Sequence, residues 1–130
     1  MEDLYTLVSQ FQFRNELWVL FIPLGLMAID ILTGVIKAWG QSDFKPSIMR
    51  AGLAKKAGEI LILVAGEIIS YGLNLPEAVM NAASFYIIFM EVMSILENLD
   101  KLGVPIPKFV KDAINNLDDQ LQHGDKKEEE

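Results

Sequence analysis

Residues 78–96 form a long apolar segment in which Glu91 is the one charged side chain. As a helix, this segment would rise about 28 Å, close to the ~30 Å hydrocarbon thickness of a bilayer. Its polar residues, together with one just beyond it, recur at helical spacing and therefore share one face: Asn81, Ser84, Glu91, Ser94 and Asn98. A carboxyl group at the bilayer centre costs about 2.5–3.5 kcal/mol. This face should therefore contact another helix or water, and Gly103, Pro105 and Pro107 then end the helix.

Two further apolar segments, 17–38 and 58–75, predict two more membrane spans, and 77–96 is the third. Trp18 and Trp39 bracket the first segment near the two interfaces. Within it, Asp30, Thr33, Gly34 and Lys37 share a small, polar face that a second helix can approach closely. Lys37 is expected to reach back toward Asp30 or out to the headgroups. The second segment is interrupted by Glu67, so a buried helix of a soluble bundle is the alternative for it.

The distribution of basic residues predicts the orientation. The connection 40–57 is expected to stay in the cytoplasm because a single acid, Asp43, accompanies its cations, which are Lys45, Arg50, Lys55 and Lys56. Ser47 is expected to open a short helix here, and the basic segment could adhere to anionic headgroups. Lys101, Lys108 and Lys111 follow the third span. The expected fold is therefore an all-α integral membrane protein with three spans, N-out and C-in.

Polar segments flank the three-span domain, which covers 17–109. Residues 1–16 form a leader in which Leu4, Leu7, Val8 and Phe11 recur at helical spacing. That pattern predicts either a surface helix or a frayed terminus. Residues 110–123 are expected to form a short amphipathic helix, and 124–130 a charged, disordered tail.

The composition excludes several kinds of functional site. The chain has no cysteine and one histidine, His123, so it lacks the residues for a disulfide, a thiolate or histidine metal centre, or a conventional catalytic triad. No basic face suggests nucleic acid binding. Asp30, Glu67 and Glu91, one acid per span, could in principle perform acid–base chemistry, bind a divalent cation or relay protons. No nucleophile or ligand spacing accompanies them, so we expect neither an enzyme nor a cofactor. Two roles remain for these acids: hydrogen bonding between helices, and lining water at the centre of an oligomer.

Several motifs in order resemble the toxin-secretion/phage-lysis holin family. They are D-I-L-T-G-V-I-K-A at 30–38, Lys45-Pro46-Ser47 with Gly52 and Lys55-Lys56, E-V-M-S-I-L-E-N at 91–98 and G-V-P-I-P-K-F at 103–109. The resemblance covers about Asp30 to Phe109. It implies a protein without catalytic residues or cofactor that accumulates in the bacterial cytoplasmic membrane. Such proteins assemble into homo-oligomeric lesions that release endolysin or a toxin.

The resemblance and the polar faces together select the candidate residues. Candidates for an oligomer contact or a pore lining are Asp30, Thr33, Gly34, Lys37, Glu67, Ser84, Glu91, Ser94, Glu97 and Asn98. Gly103, Pro105 and Pro107 form the helix-break motif. The expected partners are further copies of the chain and the lipid bilayer, with the released cargo bound at no specific site. The alternatives are a non-lytic three-span membrane adaptor and a small ion or proton channel.

Overall fold

The computed structural model of the chain describes residues 3, 6, 10, 13 and 15–128, and its regular structure there is entirely helical. Four helices lie in this part: α1 Trp18–Gly40, α2 Pro46–Gly72, α3 Glu77–Lys101 and α4 Lys108–Glu128. The all-α prediction is confirmed. The leader pattern of Leu4, Leu7, Val8 and Phe11 lies outside the described residues.

Helices α1 and α3 coincide closely with the first and third predicted spans, but α2 is longer than predicted. It begins at Pro46 rather than at 58, and it absorbs most of the expected connection together with the short helix at Ser47. Proline suits the first helical position because its missing N–H has no partner there, and Lys45 before it is extended. The alanines and lysines that follow are strong helix formers, so nothing interrupts the helix.

Helix α4 also extends beyond its predicted range. It continues to Glu128, so the tail that we expected to be disordered from residue 124 is helical up to that point. Lysine and glutamate favour helix, and a single glycine at Gly124 costs only about 1 kcal/mol.

The first three helices end with the same hydrogen-bond pattern. After α3, the Gly103 N–H donates to the Asp100 carbonyl at 3.0 Å and the Val104 N–H to the Leu99 carbonyl at 3.0 Å. This is a Schellman motif, in which one residue takes a left-handed conformation. Gly103 has φ +86°, and Ser42 and Asn74 occupy the same position after α1 and α2, each with φ +52°. The helix-break motif thus ends α3 through Gly103, and Pro105 follows immediately outside.

Two of the described helices, α1 and α3, are long and apolar enough to cross a bilayer. Their outer surfaces carry large exposed apolar side chains, such as Phe21 and Leu32 on α1 and Phe89 on α3. Helix α2, which contains Glu59 and Glu67 as well as its basic first half, does not meet the same criterion. The third span and the orientation stay predictions.

Helices α1 and α3 pack side by side in the same direction. Near their first turns the Ser84 hydroxyl donates to the Val19 carbonyl at 2.7 Å. Near their last turns the Gln41 side-chain amide donates to the Lys101 carbonyl at 3.1 Å. Two helices that touch at both beginnings and both ends are parallel.

Helix α2 runs antiparallel to this pair, and it packs more against α3 than against α1. Lys56 near its beginning contacts Glu91, and further along a Cβ on Gly66 would lie 3.3 Å from the Met80 sulfur. Leu63 is its one buried residue among those described. The core of the bundle is small: Val19, Met27, Leu63, Met80 and Ile87.

Candidate functional site

A buried lysine joins the three helices. The Lys56 ammonium of α2 lies 2.6 Å from a carboxylate oxygen of Asp30 on α1 and 2.6 Å from one of Glu91 on α3. The side chains are 12%, 8% and 3% exposed, respectively. We call Asp30, Lys56 and Glu91 the ion triad. Charge-assisted hydrogen bonds that are this short and shielded from solvent are strong. Each of the first three helices contributes one member of the ion triad.

A network of neutral donors extends the ion triad along the α1–α3 contact. The Ser94 hydroxyl and the Asn98 amide both donate to Asp30 Oδ1, at 2.7 and 2.9 Å. The same Asn98 amide donates to the Thr33 hydroxyl at 3.1 Å, and Lys37 donates to the Asn98 side-chain oxygen at 3.2 Å. Every polar group on this face therefore has a partner, as a buried polar network requires.

A further acid lies beside the ion triad. Glu59, one turn after Lys56 on α2, lies beside Glu91, and its Oε2 atom is buried with no hydrogen-bond partner in the described part of the chain. Among the described residues, its one ion-pair partner is Lys55, at 3.9 Å and largely exposed. An uncompensated buried carboxylate costs several kcal/mol. Water or a cation at Glu59 Oε2 would supply the partner that this atom lacks.

Comparison with known proteins identifies the family of this chain. The family model described as "Bacteriophage holin family" matches residues 9–119. The chain belongs to the bacteriophage holin family. This agrees with the resemblance inferred from the motifs, and it makes this chain a membrane protein of a phage-associated class.

Individual relatives are similar over most of their length. A Bacillus phage phi105 protein named "Probable holin" is 29% identical over 116 residues, which cover 89% of this chain and 86% of that protein. The uncharacterized protein YqxH of Bacillus subtilis is 29% identical over 76% of this chain and 71% of its own. The uncharacterized protein CPE0383 of Clostridium perfringens is 32% identical over 71% of this chain and 69% of its own. No solved structure matches this holin-family chain.

The structure of this holin-family protein brings most of the predicted site residues together. Asp30, Thr33, Lys37, Glu91, Ser94 and Asn98 form the network, and a Cβ on Gly34 would lie 3.7 Å from the Asn98 amide. Lys37 bonds to Asn98 rather than to Asp30. The reason is that Asp30 is already occupied by Lys56 and by two neutral donors.

Three of the predicted residues lie elsewhere. Ser84, fully buried, bonds to Val19 near the opposite end of the α1–α3 contact. Glu67 is half-buried on α2, away from the network. Glu97 lies at the surface of α3 and pairs with Lys101 of its own helix at 3.0 Å.

Sequence reasoning missed Lys56 and Glu59 as members of the site. Lys56 was assigned to a cytoplasmic loop because its neighbours are basic and the apolar run starts only after it. A usable signal existed, because Lys56, Glu59 and Leu63 stand at i, i+3 and i+7 and share one helix face. Asp30 and Glu91, each an acid within an apolar span, also require a counter-charge.

Proposed function

We propose that this chain is a holin that crosses the bacterial cytoplasmic membrane three times, N-out and C-in. In this proposal, copies of it assemble into a lesion that releases an endolysin or a toxin and leads to lysis of the host. The protein performs no catalysis, and its partners are its own copies and the bilayer. Membership in the bacteriophage holin family supports this role.

The parallel packing of α1 and α3 is the observation that carries the three-span proposal. If both helices cross the bilayer side by side in one direction, the chain between them has to cross back. Helix α2 runs antiparallel between them and has 27 residues, enough for about 40 Å at ~1.5 Å per residue. The ion triad supports the same conclusion, because pairing Lys56 with two acids compensates the polarity that makes α2 a poor span by itself.

The division between a polar interior and an apolar exterior supports assembly. In a single chain the network faces inward, while exposed apolar residues such as Phe21, Ile62 and Phe89 face outward. Such a monomer keeps the charges of the ion triad out of contact with lipid. Turning the network toward a shared lumen would hydrate Glu59 and Glu91, which offsets the loss of the helix contacts. Helix α2 is the element that can move, because little of it is buried.

Inducible expression in a bacterium tests the proposed function. Membrane potential and leakage of a co-expressed cytoplasmic enzyme are followed over time. A delayed, abrupt loss of potential with enzyme release is expected for the wild-type chain. Glu91→Leu should change the time of lysis and the oligomer size, whereas Glu77→Leu, at the exposed first residue of the same helix, should change neither.

Three outcomes would contradict the proposal. Ion leakage without enzyme release would indicate a small channel. A sustained potential at high expression would indicate a membrane adaptor. Unchanged lysis timing and oligomer size in Glu91→Leu would remove the network from the mechanism.

A further inference from the structure

A cavity of about 360 Å³ lies between the second half of α1 and the first half of α2. It exists because these two helices contact each other little, while each packs against α3. Ser94 and Asn98 of α3 also line it, next to the ion triad. Its volume is within the range of small-molecule sites in proteins, about 300–1,000 Å³.

The walls of this cavity are mostly apolar and continuous with the outer surface of the bundle. Ile31 and Val35 of α1 face Ile48 and Leu53 of α2 across it. Ile31, Ile48 and Leu53 are each more than a third exposed. The cavity is therefore a lateral slot in the side of the protein, suited to a hydrocarbon chain entering from the bilayer.

Lys37 lines the same cavity and has unused donor capacity. Its ammonium has three N–H groups, and the one contact found for it in the described residues is the neutral Asn98 oxygen at 3.2 Å. Asp30, the acid lining the cavity nearby on α1, is already paired with Lys56 at 2.6 Å. At the mouth, Lys45 pairs loosely with Asp43 at 3.4 Å, and both are well exposed. An anion that enters the cavity therefore meets a cation with free donors.

We propose that this cavity binds one anionic phospholipid, with its phosphate at Lys37 and an acyl chain along Ile31, Val35 and Leu53. The assignment rests on the proposed function, since it places the C-terminal end of α1 at the cytoplasmic leaflet. Trp39, 81% exposed two residues after Lys37, lies where an interfacial aromatic residue is expected. A soluble anion would leave the apolar walls unused, whereas a phospholipid uses both parts of the cavity.

Binding to purified protein tests this site. The full chain in a neutral detergent is mixed with phosphatidylglycerol or with phosphatidylcholine of identical acyl chains, and bound lipid is counted by native mass spectrometry. One phosphatidylglycerol per chain is expected, retained about five-fold better than phosphatidylcholine, the effect of one lysine near an anionic headgroup. Lys37→Gln should remove this preference and Lys37→Arg should keep it. Lys55→Gln should leave the preference unchanged, because Lys55 is exposed and lies outside the cavity.

Two further measurements keep the test decisive. If Lys37→Gln fails to fold, Val35→Trp, which fills the slot, should reduce retention of both lipids. Glycerol phosphate, the headgroup without acyl chains, should not displace the bound lipid.

Equal retention of the two lipids, an unchanged preference in Lys37→Gln, or displacement by glycerol phosphate would overturn the proposal. The assay needs no lysis, so its failure is distinct from that of the proposed function. A chain that binds phosphatidylglycerol but releases no enzyme would retain this site and lose the holin role.

Discussion

Lys56 illustrates how a single side chain can determine whether a polar helix is compatible with an apolar bundle. Most of its side chain is shielded from solvent, and both of its carboxylate partners are more deeply buried. A buried ion pair contributes little net stability compared with an apolar pair, but removing one partner leaves an uncompensated charge. In the ion triad that loss would leave two carboxylates facing each other.

Lys56→Met should therefore destabilise the protein by about 3–5 kcal/mol, the usual cost of breaking a buried pair from one side. The measurement is the free energy of unfolding in mixed micelles by titration with a denaturing detergent. Lys55→Met is the matched control, because Lys55 is 69% exposed and only 3.9 Å from its one acid. Equal effects of the two substitutions would show that the ion triad does not hold α2 in place.

Sequence reasoning found one side of this site and not the other. The acids and amides of α1 and α3 could be predicted because each interrupts an apolar run, and helical spacing then places them on one face. Lys56 could not be identified in the same way, because it follows Lys55 and continues a basic stretch. Its role depends on the register of α2 against α3, which is a tertiary property that spacing within one helix does not encode.

At the level of the helices, the residues that end α1, α2 and α3 differ in how well they suit the left-handed conformation that each adopts. Glycine adopts positive φ without steric cost, asparagine does so with some, and serine has little preference for it. Gly103 therefore suits its position, whereas Ser42 occupies an equivalent one with φ +52°.

Ser42→Gly should stabilise the protein by about 1 kcal/mol, and Gly103→Ala should destabilise it by about 1–2 kcal/mol. Both are measured as shifts in the free energy of unfolding. Gly25→Ala is the control for Gly103→Ala, because Gly25 lies within α1 with nothing within 4 Å of an added Cβ. It should be neutral or stabilising, since alanine favours helix. Loss of stability in Gly25→Ala as large as in Gly103→Ala would contradict the capping argument.

Gly66 is a position at which α2 lies close to α3. Gly66→Val should cost about 1–3 kcal/mol, since a Cβ alone would lie 3.3 Å from the Met80 sulfur and two further carbons overpack the contact. The same unfolding titration measures the loss.

Gly58→Val provides the comparison on the same helix, because a Cβ there has nothing within 4 Å. If Gly66→Val proved no more destabilising than Gly58→Val, the α2–α3 packing described here would be wrong.

The boundaries of α2 show what the helix-level prediction lacked. Apolar length identified α1 and α3 closely, because a bilayer-length run is a strong and local signal. Helix α2 begins among charged residues, where hydropathy alone predicts a loop, and its start is marked by Pro46 and Ser47 rather than by apolar residues. Hydropathy reports where a chain enters lipid and not where its helix begins.

For the whole molecule, the arrangement of two parallel helices and one antiparallel helix makes a definite prediction about sidedness. The chain has no cysteine, so single cysteines introduced in the connections can be labelled without background. Asp43→Cys and Lys108→Cys should be protected from a membrane-impermeant maleimide in intact cells, and Glu77→Cys should react. All three should react after permeabilisation.

A two-span arrangement with α2 lying on the membrane surface predicts a different result. In that case positions 43 and 77 would share one side and react alike. That outcome would contradict the three-span proposal while leaving the family assignment unaffected.

In the proposed three-span arrangement, the members of the ion triad are synthesised in the order Asp30, Lys56 and Glu91, and this order would suit insertion during synthesis. The first acid arrives in α1, the more apolar of the two candidate spans and the one best able to carry an unpaired carboxyl into lipid. When Lys56 follows in α2, its counter-charge Asp30 would already be inserted, and Glu91 of α3 would then pair with Lys56. In that arrangement each later helix would insert beside an oppositely charged side chain synthesised before it, so the nascent chain could pair its own charges as each helix enters the bilayer.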